Sequence, residues 1–201
     1  MKKIFFLGVL VFTLLFLTSI NDTLKHNVHI KNDVFEVEYS QELEEPLWLI
    51  YYSTNRPTNV NRGSMNFYTE KNIKTSDNLD YKNNIYDKGH LAPAASFSDN
   101  MVNLKQTFSY LNCALQHQDL NRGEWRFLEE QERIWDNDEN LMVKIELIFD
   151  ENSETLTTGA TAPSFFIKHI HFEKTKFWKC YKFPNSKPNK KWVLNEIKCN
   201  H

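Results

Sequence analysis

The chain has 201 residues, of which 41% are hydrophobic and 25% charged, a composition that excludes a disordered or collagen-like protein. This length predicts one folded domain with a sizeable core. Lysine plus arginine (24) nearly balances aspartate plus glutamate (26), and the net charge of −2 excludes a generally basic nucleic-acid binder. Any nucleic-acid binding must therefore depend on a local patch of charge.

The N-terminus has the pattern of a targeting segment. Residues 1–20 begin with two lysines and continue with an apolar run from Ile4 to Leu17. This pattern predicts a secretory signal peptide, with an uncleaved membrane anchor as the alternative. We therefore expect an exported protein, secreted or periplasmic. In this division residues 21–33 are a loose leader and residues 34–201 a single domain.

Hydrophobic periodicity predicts strands before and after one clear helix. Residues 53–84 are rich in Asn, Thr, Ser and Lys and form a long irregular segment, a length typical of functional loops. The mixture predicts an α+β fold with antiparallel strands. In chain order, the predicted elements are strands Val34–Tyr39 and Pro46–Tyr52, helix Asp119–Trp135, strand Leu141–Phe149 and strand-like stretches within Phe165–Phe183.

The chain has three cysteines, Cys113, Cys180 and Cys199. Export would place them where disulfides persist. Pairing of Cys180 with Cys199 would close a loop at the C-terminus and leave Cys113 as a small buried thiol. The chain has no Cys-x-x-Cys pair, so a zinc ribbon is not supported.

The first group of residues suited to chemistry is Asp87-Lys88-Gly89-His90, at the end of the irregular segment. Imidazole is the side chain best suited to take a proton from water near neutral pH. Lys88 supplies positive charge beside His90, which suits an anionic substrate such as a phosphate. The alternative is a solvated turn in which the histidine has an ordinary hydrogen-bond partner.

The second group lies on the predicted helix, where Asn121, Trp125, Glu129 and Arg133 are spaced by four residues and form one stripe. An amide oxygen and a carboxylate suit Mg²⁺, which tends to keep several bound waters. Arginine suits bidentate phosphate binding. The alternative is an ordinary helix ion pair between Glu129 and Arg133.

Together the two groups resemble the DNA/RNA non-specific endonuclease family, whose motif is Asp-Arg-Gly-His. The resemblance extends from about residue 34 to about residue 183 and implies a ββα-metal (His-Me finger) nuclease fold. In that fold a central antiparallel sheet has flanking helices. The residues that carry the resemblance are Asp87-Lys88-Gly89-His90, Leu120-Asn121-Arg122-Gly123-x-Trp125 and Leu128-Glu129-x-x-x-Arg133.

The resemblance implies a role for each matching residue in hydrolysis of phosphodiester bonds in DNA and RNA. His90 matches the general base, and Asn121 matches the one direct protein ligand to Mg²⁺, with Mn²⁺ or another divalent cation as the alternative. Glu129 matches the acid that holds a metal-bound water. Arg133 matches a cation that contacts the phosphate.

Lys88 and Arg62 match two further positions that bind substrate phosphate, and Asn112 and Gln116 match polar positions that support the site. Lys88 stands where the family has arginine. Lysine keeps the positive charge but lacks the rigid guanidinium fork, so we expect weaker phosphate clamping. Binding to nucleic acid should be modest and salt-sensitive.

Two other functional classes stay open: a nuclease-like domain that binds nucleic acid without cutting it, and a phosphodiesterase for small nucleotides. His169 and His171 share one face of a predicted strand, a geometry seen in zinc sites. The run from Lys187 to Lys191, followed by Trp192, is a candidate nucleic-acid patch or an ordinary solvated tail.

Overall fold

The computed structural model describes residues 26–199, so the predicted signal segment 1–20 lies outside the described residues. A seven-stranded antiparallel sheet with strand order β1-β2-β3-β6-β9-β10-β11 dominates the fold. Two strand pairs, β4–β5 and β7–β8, stand apart from it. The strands are β1 (Asn27–Lys31), β2 (Phe35–Ser40), β3 (Glu45–Ser53), β4 (Tyr86–His90), β5 (Cys113–His117), β6 (Leu141–Ile148), β7 (Glu154–Thr155), β8 (Thr161–Ala162), β9 (Phe165–Phe172), β10 (Trp178–Pro184) and β11 (Glu196–Ile197).

Short helical segments flank the sheet, and the α+β prediction is confirmed. The residue just before the longest helix, Trp125, packs on the sheet, with its ring centroid 5.4 Å from that of Phe166 and 5.6 Å from that of Phe183. Within residues 26–199, the helices are all too short or too polar to cross a membrane. The helices are α1 (Met101–Gln106), α2 (Gln118–Leu120) and α3 (Arg126–Trp135), with 3₁₀ turns at Ala94–Phe97, Tyr110–Asn112 and Trp192–Asn195.

Strand β6 shows why the sheet could be predicted from sequence. Every second residue is fully or nearly fully buried, and the intervening residues are partly exposed, as expected for a strand with one face on the core. The predicted strands agree with β2, β3 and β6 to within one residue at each end. The irregular segment at 53–84 contains no strand beyond one isolated bridge, between Tyr68 and Ser109.

The loose leader predicted for residues 21–33 is wrong for residues 27–31, which form the edge strand β1. This strand pairs antiparallel with β2, and Lys31 Nζ donates to Glu36 Oε2 at 2.6 Å. Val28 and Ile30 pack against the core while the alternate residues face solvent. The alternation was not recognised from the sequence because polar residues occupy the solvent-facing positions of this edge strand.

The single helix predicted for Asp119–Trp135 is also corrected. The chain makes a wide, π-type turn over Asn121–Trp125, and Gly123 has non-helical dihedrals (φ −113°, ψ −110°). Glycine accepts such a conformation because it has no Cβ. Asn121 therefore lies on the far side of a break from Glu129 and Arg133, so the three do not share one straight helical stripe.

A disulfide between Cys180 and Cys199 closes the C-terminal segment, and this predicted pairing is confirmed. Cys113 is a free, buried thiol whose Sγ lies 3.2 Å from the hydroxyl of Tyr81. Between the two paired cysteines, the ring of Trp192 packs on other aromatic residues of the core. The segment from 185 to 199 therefore forms a strap across the end of the sheet, and we call it the C-terminal strap.

Candidate active site

The motif Asp87–His90 lies on β4, which pairs antiparallel with β5 so that His90 is opposite Cys113. The helical segments α2 and α3 follow β5 directly, and together the three parts form a ββα unit. Gly89 is required by close packing within this unit. A Cβ at that position would lie 2.5 Å from Gln116 Oε1 and 2.6 Å from Gln116 Cβ, closer than real Cβ contacts allow.

His90 sits between two aromatic rings, with its ring centroid 4.8 Å from that of Phe67 and 5.0 Å from that of Phe108. Its Nε2 atom is buried and has no hydrogen-bond partner among the described residues. Burial, together with the positive charge of Arg62, lowers the pKa of His90 to about 4. The ring is therefore neutral at pH 7 and has a free nitrogen that can accept a proton.

Arg62 lies close enough to His90 to influence its pKa. Its guanidinium carbon lies 5.2 Å from the ring centroid of Phe108, the ring that also contacts His90. The guanidinium belongs to the irregular segment and is exposed to solvent. A cation beside His90 can attract a phosphate to that position.

Asp87 joins the motif strand to the start of the broken helix. Its Oδ2 accepts a hydrogen bond from Asn121 Nδ2 at 2.9 Å, and its two oxygens accept from Arg122 Nε and Nη2 at 2.7 and 2.6 Å. Burial alone would raise the pKa of Asp87, but the hydrogen bonds from Arg122 and Asn121 outweigh it and lower the pKa. Because Asn121 Nδ2 donates to Asp87, the amide oxygen of Asn121 is not used in this contact.

Glu129 and Arg133 lie one turn apart on α3. Burial raises the pKa of Glu129 to about 7, an effect that Lys168 opposes and the neighbouring Glu132 increases. Arg133 Nη1 is buried and has no hydrogen-bond partner among the described residues. This face of α3 therefore combines a carboxyl group that titrates near neutrality with a guanidinium nitrogen available to an anion.

A buried ion pair joins α3 to strand β9 of the sheet. Lys168 on β9 and Glu132 have side chains that are 0% and 1% exposed, and Lys168 Nζ lies 2.8 Å from Glu132 Oε1. The Tyr51 hydroxyl donates to Glu132 Oε2 at 2.5 Å, and Lys168 Nζ lies 4.1 Å from the ring centroid of Trp125. The sequence analysis missed this network. The one feature of the sequence that could have indicated it is that Lys168 occupies a position of β9 where the alternating residues are buried and apolar.

Lys88 is held away from Asp87, on the opposite face of β4. Its Nζ lies 5.5 to 5.7 Å from the ring centroids of Phe67, Tyr81 and Tyr110, and it donates to Asn78 Oδ1. Cations are stabilised over aromatic faces. The motif lysine is thus enclosed by an aromatic cage that shares the ring of Phe67 with His90.

Asn112 and Gln116 both lie on the β5 side of the unit, but their contacts differ. Asn112 accepts from Ala92 N at 2.7 Å and donates to Ala92 O at 2.9 Å and Thr107 O at 2.8 Å, which fixes the chain just after His90. Gln116 is buried against Gly89, and neither of its side-chain polar atoms has a partner among the described residues.

These contacts place the candidate residues in three small groups on the ββα unit, with Arg62 added from the irregular segment: His90 with Arg62, Asp87 with Asn121, and Glu129 with Arg133. Asp87 and His90 are three residues apart on one strand, a separation of about 10 Å. No hydrogen bond among the described residues joins His90 directly to Asn121. Catalysis at this site would require a substrate that contacts more than one of these groups.

The sequence matches the model of the DNA/RNA non-specific endonuclease family over residues 17–200. The chain belongs to this family. It is therefore a nuclease, a hydrolase of phosphodiester bonds, in a family of divalent-metal-dependent enzymes. The predicted family, fold and enzyme class are confirmed.

The fold of this endonuclease is similar to that of a chain in the crystal structure of the EndoG/EndoGI complex, described as showing the mechanism of EndoG inhibition. The TM-score is 0.72 and the sequence identity 21%, over 85% of this chain and 80% of that chain. At this identity the likeness shows the fold alone. No curated protein matches the endonuclease.

Two secondary candidates receive no support from the structure. His171 stacks on Trp178 at 4.4 Å, and His169 lies 3.3 Å from Cys180 Sγ. Within the part of the chain that is described, no group of three or more His, Cys, Asp or Glu residues is placed to hold a metal ion. In the lysine run of the C-terminal strap, Lys187 Nζ is 3.9 Å from Asp119.

Proposed function

We propose that this endonuclease hydrolyses phosphodiester bonds in DNA and RNA with His90 as the general base and Asn121 as the protein ligand to Mg²⁺. The observation that supports it most is the buried, unpartnered Nε2 of a neutral His90 on the strand whose Asp87 orients Asn121. Mn²⁺ or another divalent cation is the alternative to Mg²⁺.

The environment of His90 suits a base that must be free of protons before substrate binds. Its pKa of about 4 makes it a weak base in the free enzyme. An anionic phosphate bound nearby favours the charged form of imidazole and offsets the repulsion from Arg62. The basicity of His90 should therefore rise when substrate is in place, which is when it removes a proton from the attacking water.

Asn121 and Glu129 fit a hard divalent cation that keeps most of its water. The Asn121 amide donates through Nδ2, so its carbonyl oxygen remains for a cation, and Glu129 is the carboxyl group that would hydrogen-bond cation-bound waters. When bound, such a cation stabilises negative charge on the phosphate oxygens and on the leaving 3′ oxygen. Its charge would also lower the pKa of Glu129 and keep that group ionised.

Arginine side chains provide the contacts to phosphate. Arg133 has an unpartnered, buried Nη1, and Arg62 lies beside the proposed base. Lys88 lies among aromatic rings. We therefore propose that it contributes positive charge to the site without contacting the phosphate directly. Contacts to phosphate carry no sequence information, which accounts for activity on varied nucleic acids.

We also propose that the protein is exported through residues 1–20. The Cys180–Cys199 disulfide supports export, because such bonds persist in oxidising compartments.

The test is digestion of plasmid DNA and of RNA with Mg²⁺ and, in parallel, with a chelator. His90→Ala should lower the rate by a factor of about 100 or more, the usual contribution of a general base. The matched control is His171→Ala, which removes a histidine on the outer face of the sheet and should cut like wild type. Asn121→Ala should require a higher Mg²⁺ concentration.

Two results would reject the proposal. If His90→Ala cuts at the wild-type rate, another group is the base. If the wild-type protein binds nucleic acid but cuts neither polymer, or cuts only small diesters, one of the two alternative classes is correct.

A further inference from the structure

Two open clefts lie beside His90, and Tyr68 lines both of them. Phe67 and Tyr110 line the first cleft with Tyr68, and Met65 and Met101 line the second with it. Phe67 is the ring that contacts His90 at 4.8 Å. The first cleft therefore lies next to the position proposed for the general base, and the second shares Tyr68 with it.

The backbone holds Tyr68 in a fixed position relative to the site. Tyr68 N donates to Phe108 O at 3.0 Å, and Tyr110 N donates to Tyr68 O at 3.0 Å. Phe108 is the second ring in contact with His90. Because these neighbouring backbone groups are hydrogen-bonded to each other, the aromatic surface is formed before any ligand binds, and little conformational entropy is lost on binding.

The second cleft is lined mainly by apolar side chains, whereas the first also contains Asp77, Asn78 and Thr69 beside its aromatic rings. Leu79, Met101 and Val102 are 56%, 50% and 65% exposed, so each has apolar surface that a ligand could bury. Lys105 lines the second cleft, and the Arg62 guanidinium carbon lies 5.2 Å from the ring centroid of Phe108, which also contacts His90. Aromatic and apolar surfaces edged by cations fit nucleobases that are joined to phosphates.

We infer that the Tyr68 clefts bind unpaired nucleobases next to the scissile phosphate, and that single-stranded nucleic acid is the better substrate. The bases of a duplex are stacked on each other and cannot enter such clefts, whereas those of a single strand can stack on Tyr68. The inference rests on the proposed function, because it takes His90 to mark the scissile phosphate.

The main test compares Tyr68→Leu with wild type on one oligonucleotide sequence, presented as a single strand and as a duplex. Leucine keeps apolar bulk but removes the ring. Loss of one stacked base should lower kcat/KM on the single strand about tenfold and leave duplex cleavage unchanged. Met101→Ser should act in the same direction. The matched control is Phe177→Leu, because Phe177 is also a 55% exposed aromatic residue but lies at the β9–β10 turn.

A binding measurement separates this inference from the proposed catalytic roles. A single-stranded oligonucleotide carrying 2-aminopurine should lose fluorescence on binding in the presence of chelator, because the base stacks on Tyr68. Tyr68→Leu should remove this quenching while His90→Ala retains it. Equal loss of cleavage on single strand and duplex, or full quenching with Tyr68→Leu, would overturn the inference. A wild-type protein that shows quenching but no cutting would refute the proposed function and the substrate preference, and would leave only the binding of bases at Tyr68.

Discussion

The buried ion pair between Lys168 and Glu132 should be the most sensitive single contact beneath the active site. We predict that Lys168→Met destabilises the protein strongly although methionine has a similar length and suits a core. The substitution leaves the Glu132 carboxylate 1% exposed, with the Tyr51 hydroxyl as its remaining hydrogen-bond donor. It also removes the cation that lies 4.1 Å from the Trp125 ring.

The expected loss follows from leaving one member of a buried pair unpaired, which costs about 3–5 kcal/mol. Domains of this kind are stable by only about 5–15 kcal/mol, so the variant should lose a large part of its stability. The double variant Lys168→Met with Glu132→Gln removes both charges and keeps an oxygen for the Tyr51 hydroxyl. Its stability should therefore return close to the wild-type value, since neutral replacements of buried pairs are often tolerated.

Urea unfolding followed by tryptophan fluorescence measures these differences, and the double-mutant cycle isolates the pair from its surroundings. Lys31→Met is the matched control. Its ion pair with Glu36 is on the surface, with 72% of the lysine side chain exposed, and the midpoint should not move. A loss below about 1 kcal/mol for Lys168→Met would show that the reasoning is wrong, because such a value is typical of an exposed pair.

Three further predictions concern the site and its support. Asp87→Ala frees the amide of Asn121 and should raise the Mg²⁺ concentration needed for half-maximal rate by about 10–100-fold, measured by titration. His90 should titrate at about pH 4 by NMR, and Arg62→Gln, which removes a repelling charge, should raise that pKa; titration near the ordinary value in wild type would contradict this. Reduction of the Cys180–Cys199 disulfide should lower the stability by about 3 kcal/mol, measured by unfolding with and without a reductant, and an unchanged midpoint would argue against it.

Much of the sheet and the family to which the motif belongs could be predicted from sequence, because both depend on local patterns. Strand β6 alternates buried and partly exposed residues, and this period identifies a strand with one buried face. The Asp87–His90 motif is contiguous in the chain. The disulfide was predicted from the position of two cysteines in a chain expected to be exported.

The parts that could not be predicted depend on contacts between distant segments. Lys168 and Glu132 are 36 residues apart, and no local pattern pairs them. The cage around Lys88 takes rings from positions 67, 81 and 110, which only the tertiary fold brings together. The break at Gly123 was hidden because single glycines are tolerated in helices and four-residue spacing continues through it.

The C-terminal strap supports the wide turn that carries Asn121. Strand β11 has only two residues, too few to stay paired unaided, yet Trp192 N donates to Glu124 Oε2 at 2.5 Å within the wide turn that begins at Asn121. The covalent link at Cys199 keeps this brace in place. Without this covalent link, the contact between Trp192 and Glu124 would depend on non-covalent packing alone, and the wide turn that carries Asn121 would have weaker support.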